Sequence, residues 1–141
     1  MRRLALLGAV ALLVLSVSST LAASANTLYR ARVSGGGMVG GSSVTLLANG
    51  RSATFSLKVY HTKPATTVTA TLNAGACGTA TTAIAKLPGV KAPASGTAVE
   101  WVRLTKAEFA TLKADLAKHD KLSVKVVDGT KSACGNYALV H

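Results

Sequence analysis

The sequence predicts a mainly β protein: an antiparallel Greek-key β-sandwich or barrel of about eight short strands, with one inserted α-helix at about 105–118. Three observations lead to this class. Apolar and polar residues alternate with a period of two in several short segments, turn residues separate those segments, and a single segment has helical spacing instead. Short strands at such regular intervals are typical of antiparallel sandwiches and barrels.

The first 25 residues have the pattern of a secretory signal peptide. Two arginines precede an apolar run over 4–17, and an A-x-A cleavage site follows at 23–25. This run is shorter than the roughly 20 residues that a membrane-spanning helix needs. We therefore predict a signal peptide at 1–25 and a single mature domain at 26–141, which contains no transmembrane segment.

The mature region is strongly basic. It holds 14 of the 16 lysines and arginines and all five acidic residues, so its formal net charge is +9. A basic exported domain is attracted to anionic polymers and membrane surfaces. Aromatic residues make up only 4% of the chain and no nucleic-acid-binding motif is present, which argues against a nucleic-acid partner.

The strand assignments follow the alternation along the chain. The clearest case has Phe55, Leu57 and Val59 on one face and polar residues on the other. Asn49-Gly50 predicts a hairpin turn, and the glycine-rich segment 34–41 predicts a mobile loop. Strands are predicted at 27–33, 43–49, 52–60, 66–72, 81–87, 97–104, 121–128 and 134–140.

One segment, 105–119, has helical spacing. Thr105 and Glu108 form a T-x-x-E capping box, the signature of a helix N-terminus. Phe109, Leu112 and Leu116 then make a narrow apolar stripe. Because acidic residues share the polar face, the pattern favours a connecting helix across one end of the sandwich over a membrane-binding helix.

Export also bears on the two cysteines, Cys77 and Cys134, which are the only ones in the chain. Outside the cytoplasm an even pair tends to oxidise. We therefore predict a Cys77–Cys134 disulfide. The absence of a C-x-x-C motif from the sequence argues against a catalytic redox pair.

The surroundings of the cysteines resemble those in secreted copper/zinc superoxide dismutases and the related CHRD-type domains. The similar elements are Gly75-Ala76-Cys77 after a strand and Ala133-Cys134-Gly135 before a final apolar strand. The resemblance implies a β-sandwich scaffold over about 43–140. Lys131 stands where the family has an anion-steering arginine, which keeps the charge but not the guanidinium fork.

The metal ligands of that family have no counterpart here. Residues 62–118 contain no histidine, and His61, His119 and His141 are not at metal-ligand spacing. We interpret all three as solvated loop or terminal residues. The resemblance therefore implies a scaffold that lacks the catalytic metal, and we predict no metal and no cofactor.

Other catalytic patterns do not emerge either. All five acidic residues follow position 99, and no G-x-S-x-G nucleophile elbow is present. We therefore predict that the protein is not an enzyme. Trp101, the only tryptophan, is predicted to pack in the core or at a sheet edge, because its neighbours alternate as a strand.

The sequence thus favours a secreted, periplasmic or cell-envelope protein with a non-catalytic binding or structural role. Its expected partner is an anionic envelope polymer or another protein outside the cell, contacted through a basic surface. The candidate anion-binding residues are Arg103, Lys106, Lys113 and Lys131.

Two alternatives stay open. One is a divergent copper- or zinc-binding protein of the superoxide dismutase lineage, with His61, His119 and the acidic residues as ligands. The other is a secreted inhibitor that presents the glycine-rich segment 34–41.

Overall fold

The structure is a computed structural model that describes residues 25–79, 81–118 and 120–141. The predicted signal peptide lies outside the described residues except for its last position. The elements are β1 (Thr27–Gly35), β2 (Met38–Leu46), β3 (Ala53–Tyr60), β4 (Thr67–Ala74), β5 (Thr82–Lys86), β6 (Val90–Lys91), β7 (Ala98–Arg103), α1 (Lys106–Ala117), β8 (Leu122–Asp128) and β9 (Lys131–Val140).

All described strands belong to one antiparallel sheet, curled into a half-barrel, in the order β5-β4-β8-β9-β1-β2-β3-β7. Strand β6 continues the β5 edge beside β4 and lies beyond the strand predicted at 81–87. The β3–β4 and β7–β8 connections cross between distant positions in the sheet. This arrangement confirms the predicted class, an antiparallel barrel or sandwich with one helix.

The core lies on the concave side of the sheet. The predicted alternation holds on β3, where Phe55, Leu57 and Val59 are buried and Lys58 and Tyr60 are exposed. The inward side chains of the other long strands, together with two from the helix, join the same apolar cluster. Because burial of apolar surface is the main stabilising contribution to folding, this face decides which way each strand is turned.

The glycine-rich segment is not a mobile loop, so that prediction was wrong. Strand β1 runs to Gly35 and β2 begins at the buried Met38, leaving Gly36 and Gly37 as a tight turn. Within β2, a side chain at Gly40 would place its Cβ 2.2 Å from the Lys58 carbonyl oxygen. Glycine is therefore needed here for close strand approach as well as for the turn.

Helix α1 matches its prediction closely. The Thr105 hydroxyl accepts the Glu108 N–H, and the Glu108 carboxylate accepts the Thr105 N–H, which completes the capping box. Phe109 and Leu112 are buried, and Leu116 packs beside them. The helix thus covers one end of the curled sheet. Within the described residues, no helix has both the length and the hydropathy that crossing a membrane requires.

The predicted disulfide joins Cys77, in the loop after β4, to Cys134 on β9, with Cα atoms 6.0 Å apart. A second contact supports the same loop, since the Cys77 N–H donates to the Asn136 side-chain oxygen at 2.7 Å. Both contacts hold the loop over the outer surface of the β4–β8–β9 part of the sheet.

A polar tie crosses the concave side between β9 and β2. Ser42 and Tyr137 both pair with Ala31 of β1, whose small side chain lies between them. The Ser42 hydroxyl donates to the Ser56 carbonyl at 2.6 Å, so its oxygen accepts the Tyr137 hydroxyl, also at 2.6 Å. Burial raises the pKa of Tyr137 above its usual value, and the Ser42 hydrogen bond opposes that shift.

The β3–β4 connection at 61–66 crosses the end of the sheet opposite the helix. The buried Asp128 carboxylate accepts the Lys63 N–H at 2.7 Å and also the Thr66 hydroxyl. Ala65 has a φ of 64°, in the left-handed region that favours glycine. The crossover is therefore held by a buried acceptor and contains one strained alanine.

Candidate functional site

A groove runs along the outer, convex face of β1, β2, β3 and β7. The strand register places Arg30, Ser43, Ser56 and Trp101 in one row across these four strands. Three inter-strand spacings separate the ends of the row, so Arg30 and Trp101 are about 14 Å apart at their Cα atoms. The groove has a volume of about 640 Å³.

The groove is low in the middle because its central strands carry small side chains. Gly41 and Ser43 on β2 and Ser56 on β3 form the floor. The two serine hydroxyls are hydrogen-bonded at 2.7 Å, which holds them flat against the sheet. Longer side chains on β1 and β7 rise on either side, so the surface is an open trough and not a closed pocket.

One wall of the groove is aromatic and apolar. Trp101 is 66% exposed, and Val99 stands beside it on the same face. The sequence predicted that Trp101 packs in the core or at a sheet edge. Trp101 does lie on an edge strand, but the prediction that it packs against other residues was wrong. Nothing among the described residues covers it, since β7 pairs on one side only, with β3. An exposed tryptophan beside a groove offers a large stacking surface to a ligand.

Two cationic residues also line the groove. Arg30 and Lys58 line it, and the Lys58 ammonium lies 5.3 Å from the centre of the Tyr60 ring. Arg32 belongs to the next row of the same outer face. The one carboxylate that lines the groove, Glu100, accepts the Trp101 N–H at 2.9 Å, so it is engaged at the sheet edge.

The four basic residues predicted from the sequence do not meet in one site. Lys106 and Lys113 line a separate hollow beside Phe109, where the Lys113 ammonium is 5.7 Å from the ring centre. Arg103 extends from the outer face of β7, opposite Thr54. Lys131 begins β9 at the end of the sheet opposite the helix. Their role as anion-binding residues stays a prediction.

The sequence did not reveal that Arg30, Lys58 and Trp101 line one groove. The alternation already assigned Lys58 to an outward face, but no local signal revealed which strands lie side by side. Only the β3–β7 pairing, which joins strands separated by the whole β4–β6 segment, brings Trp101 beside Ser56.

Metal ligands show no clustering in the part of the chain that is described, where no three His, Cys, Asp or Glu side chains could share an ion. His61 lies exposed at the start of the β3–β4 crossover and His141 ends the chain. His119 lies outside the described residues, so the proposal of a divergent metal site is not tested by this geometry.

Comparisons with known proteins return no relationship: no family model, curated protein or solved structure matches the chain.

Proposed function

We propose that the protein is a secreted or cell-envelope, non-catalytic binding domain that holds an anionic polymer in the groove over β1, β2, β3 and β7. The disulfide supports a location outside the cytoplasm, as does the signal-peptide pattern at 1–25. The single observation that carries the binding function is the row that joins Arg30 to the exposed Trp101 across a floor of small residues.

The chemistry of the groove suits a chain that carries anionic groups. The Arg30 guanidinium can pair in bidentate fashion with a sulfate, carboxylate or phosphate, and Lys58 supplies a second positive charge. Trp101 provides a flat face on which a ring of the same polymer ligand can stack. An open trough lets a polymer enter and leave at both ends, which a closed pocket would prevent.

The charge of the whole mature region supports the same function. A net charge of +9 raises the encounter rate with a polyanion, and this steering weakens as salt is added. Net charge alone acts on every face of the protein. The proposal therefore requires that charges in the groove matter more than an equal number placed elsewhere.

The test uses Trp101, the only tryptophan, as an intrinsic fluorescence reporter. Purified, oxidised protein is titrated with heparin as a model polyanion over a series of salt concentrations. The double variant Arg30→Ala/Lys58→Ala should weaken binding about tenfold and reduce its salt dependence. The matched control Lys86→Ala/Lys91→Ala removes two exposed charges from β5 and β6, outside the groove, and should have a small effect.

Further variants separate stacking from charge. On a heparin column, Trp101→Ala should elute at clearly lower salt, because loss of one stacked aromatic weakens binding about fivefold or more. Val140→Ala truncates another exposed apolar side chain and is its control. The double variant Lys106→Ala/Lys113→Ala tests the hollow beside the helix. If all three double variants weaken binding equally, the protein binds polyanions through overall charge and the groove is not the site.

A second proposal concerns the scaffold. We infer kinship with copper/zinc superoxide dismutase-like and CHRD-type domains, supported by the position of the disulfide between the loop after β4 and the last strand. We infer that the domain lacks the catalytic metal of that lineage. Metal content after incubation with copper and zinc and thorough desalting tests this point, and near-stoichiometric metal would instead support the divergent metalloprotein.

A further inference from the structure

A second concave site lies on the opposite part of the outer surface, over β4, β8 and β9. The loop after β4 partly covers it, and the pocket volume is about 320 Å³. Both disulfide cysteines line it, together with Ser123 and Lys125 from β8 and Asn73 from β4. None of these residues lines the groove described above, so the two sites are separate.

Ser123 is the most informative residue of this pocket. Its position on β8 faces outward, like that of Lys125 two residues later, yet it is only 1% exposed because the loop covers it. Its hydroxyl oxygen has no hydrogen-bond partner among the described residues. A buried hydroxyl without a partner costs free energy, so its retention needs a compensating contact, from a ligand or from water.

The chemistry of the lining indicates what kind of ligand fits. Ser123 and Ser132 provide hydroxyl donors, and Lys125 brings a positive charge. The Asn73 amide is anchored by its donation to the Thr71 carbonyl at 3.1 Å. Among the described residues that line the pocket, none carries a carboxylate. A cation with surrounding donors and no competing negative charge suits an oxyanion.

We propose that this pocket binds a small oxyanion, a carboxylate or phosphate group, between Ser123 and Lys125. The Cys77–Cys134 bond and the Cys77 N–H to Asn136 hydrogen bond hold the loop after β4 in place. Binding therefore depends on the oxidised state of the protein. The proposal is independent of polymer binding in the groove, because the two sites have no residues in common.

The test is a titration of the oxidised protein with sodium phosphate and, separately, sodium acetate, followed by two-dimensional amide NMR at constant ionic strength. We expect saturable chemical-shift changes at the amides of 123–125 and 77–79. The anion that binds more tightly shows whether the pocket prefers a phosphate or a carboxylate group. Ser123→Ala and Lys125→Gln should each weaken binding at least fivefold. Lys91→Gln removes the same charge from β6, at an exposed position outside the pocket, and should leave binding within twofold.

Stability of the Ser123 variant gives a second readout. If the hydroxyl is kept for a ligand, Ser123→Ala should lose anion binding while its thermal midpoint stays equal to or above that of the parent. Absence of saturable shifts with either anion would overturn the proposal, and so would equal weakening by Ser123→Ala and Lys91→Gln. A lowered midpoint without any loss of anion binding would show that Ser123 has a structural role only.

Discussion

The outer sheet surface over β1, β2, β3 and β7 and the outer surface over β4, β8 and β9 have the same alternation of inward and outward residues. They differ in how far their outward residues are exposed. On β3, the outward Ser56 lies on an open floor and pairs with Ser43. On β8, the outward Ser123 is 1% exposed under a loop that the disulfide holds in place. An outward position on a strand therefore does not by itself make a side chain exposed, since a segment distant in sequence can cover it.

The contrast extends to what each part can bind. The open face presents long cationic and aromatic side chains beside a trough, which suits an extended polymer. The covered face contains a smaller pocket with hydroxyl groups and one lysine in its lining, which suits a compact anion. A covalent bond is needed for the second face only, so the two should respond differently when that bond is removed.

The largest expected effect is loss of the disulfide. The double variant Cys77→Ser/Cys134→Ser opens a loop defined by a sequence separation of 57. The chain-entropy estimate for such a loop gives a loss of about 4 kcal/mol in the free energy of unfolding. Urea denaturation of the parent and the variant measures this difference.

The same variant tests the independence of the two faces. Under conditions where it remains folded, it should lose phosphate binding and keep heparin affinity within about twofold, a change of less than about 0.5 kcal/mol. A comparable loss of heparin affinity in the folded variant would show that the open groove also depends on the covered face.

A smaller effect is expected at the tie between the two halves of the sheet, the Tyr137–Ser42 hydrogen bond. Tyr137→Phe removes the hydroxyl and should lower the free energy of unfolding by about 1 kcal/mol at pH 7. Chemical denaturation measures the change. Tyr60→Phe, which removes a phenol hydroxyl on the outer face, is the matched control and should be nearly neutral.

Alkaline pH provides a further test of the same tie. Because burial raises the pKa of Tyr137 in the folded protein, the unfolded chain loses this proton first, at about pH 10. This contribution to stability is fully present below pH 10 and falls above it, by up to about 1.4 kcal/mol per pH unit. Tyr137→Phe should make the stability profile flatter above pH 10. An unchanged slope would contradict the role of this phenol.

The smallest effect concerns the β3–β4 crossover at 61–66. It connects the part of the sheet that carries the groove to the part that the loop after β4 covers. Ala65→Gly should raise the free energy of unfolding by about 0.5–1 kcal/mol, because glycine adopts a φ of 64° without the Cβ conflict. Ala94→Gly, at an exposed loop position without positive φ, is the control and should be neutral or destabilising. Equal shifts in both variants would mean that backbone strain at Ala65 is negligible.

Much of the fold could be predicted from local patterns. The period-two alternation on β3, the capping box of Thr105 and Glu108, and the Asn49-Gly50 turn each depend on residues close in sequence. The prediction for the glycine-rich segment 34–41 was wrong because it used local composition alone. Its conformation depends on burial of Met38 and on the close approach of β3 at Gly40, which composition does not reveal.

The candidate sites depended on the tertiary structure. Local patterns were enough to predict the strand faces, the helix and the partner of each cysteine, because periodicity and capping depend on nearby residues and the chain has a single pair of thiols. Only the folded sheet decided that Arg30 and Trp101 share a row and that a loop buries Ser123. The physical reason is that strand order and register come from packing between distant segments, and the free energy of that packing belongs to the whole core.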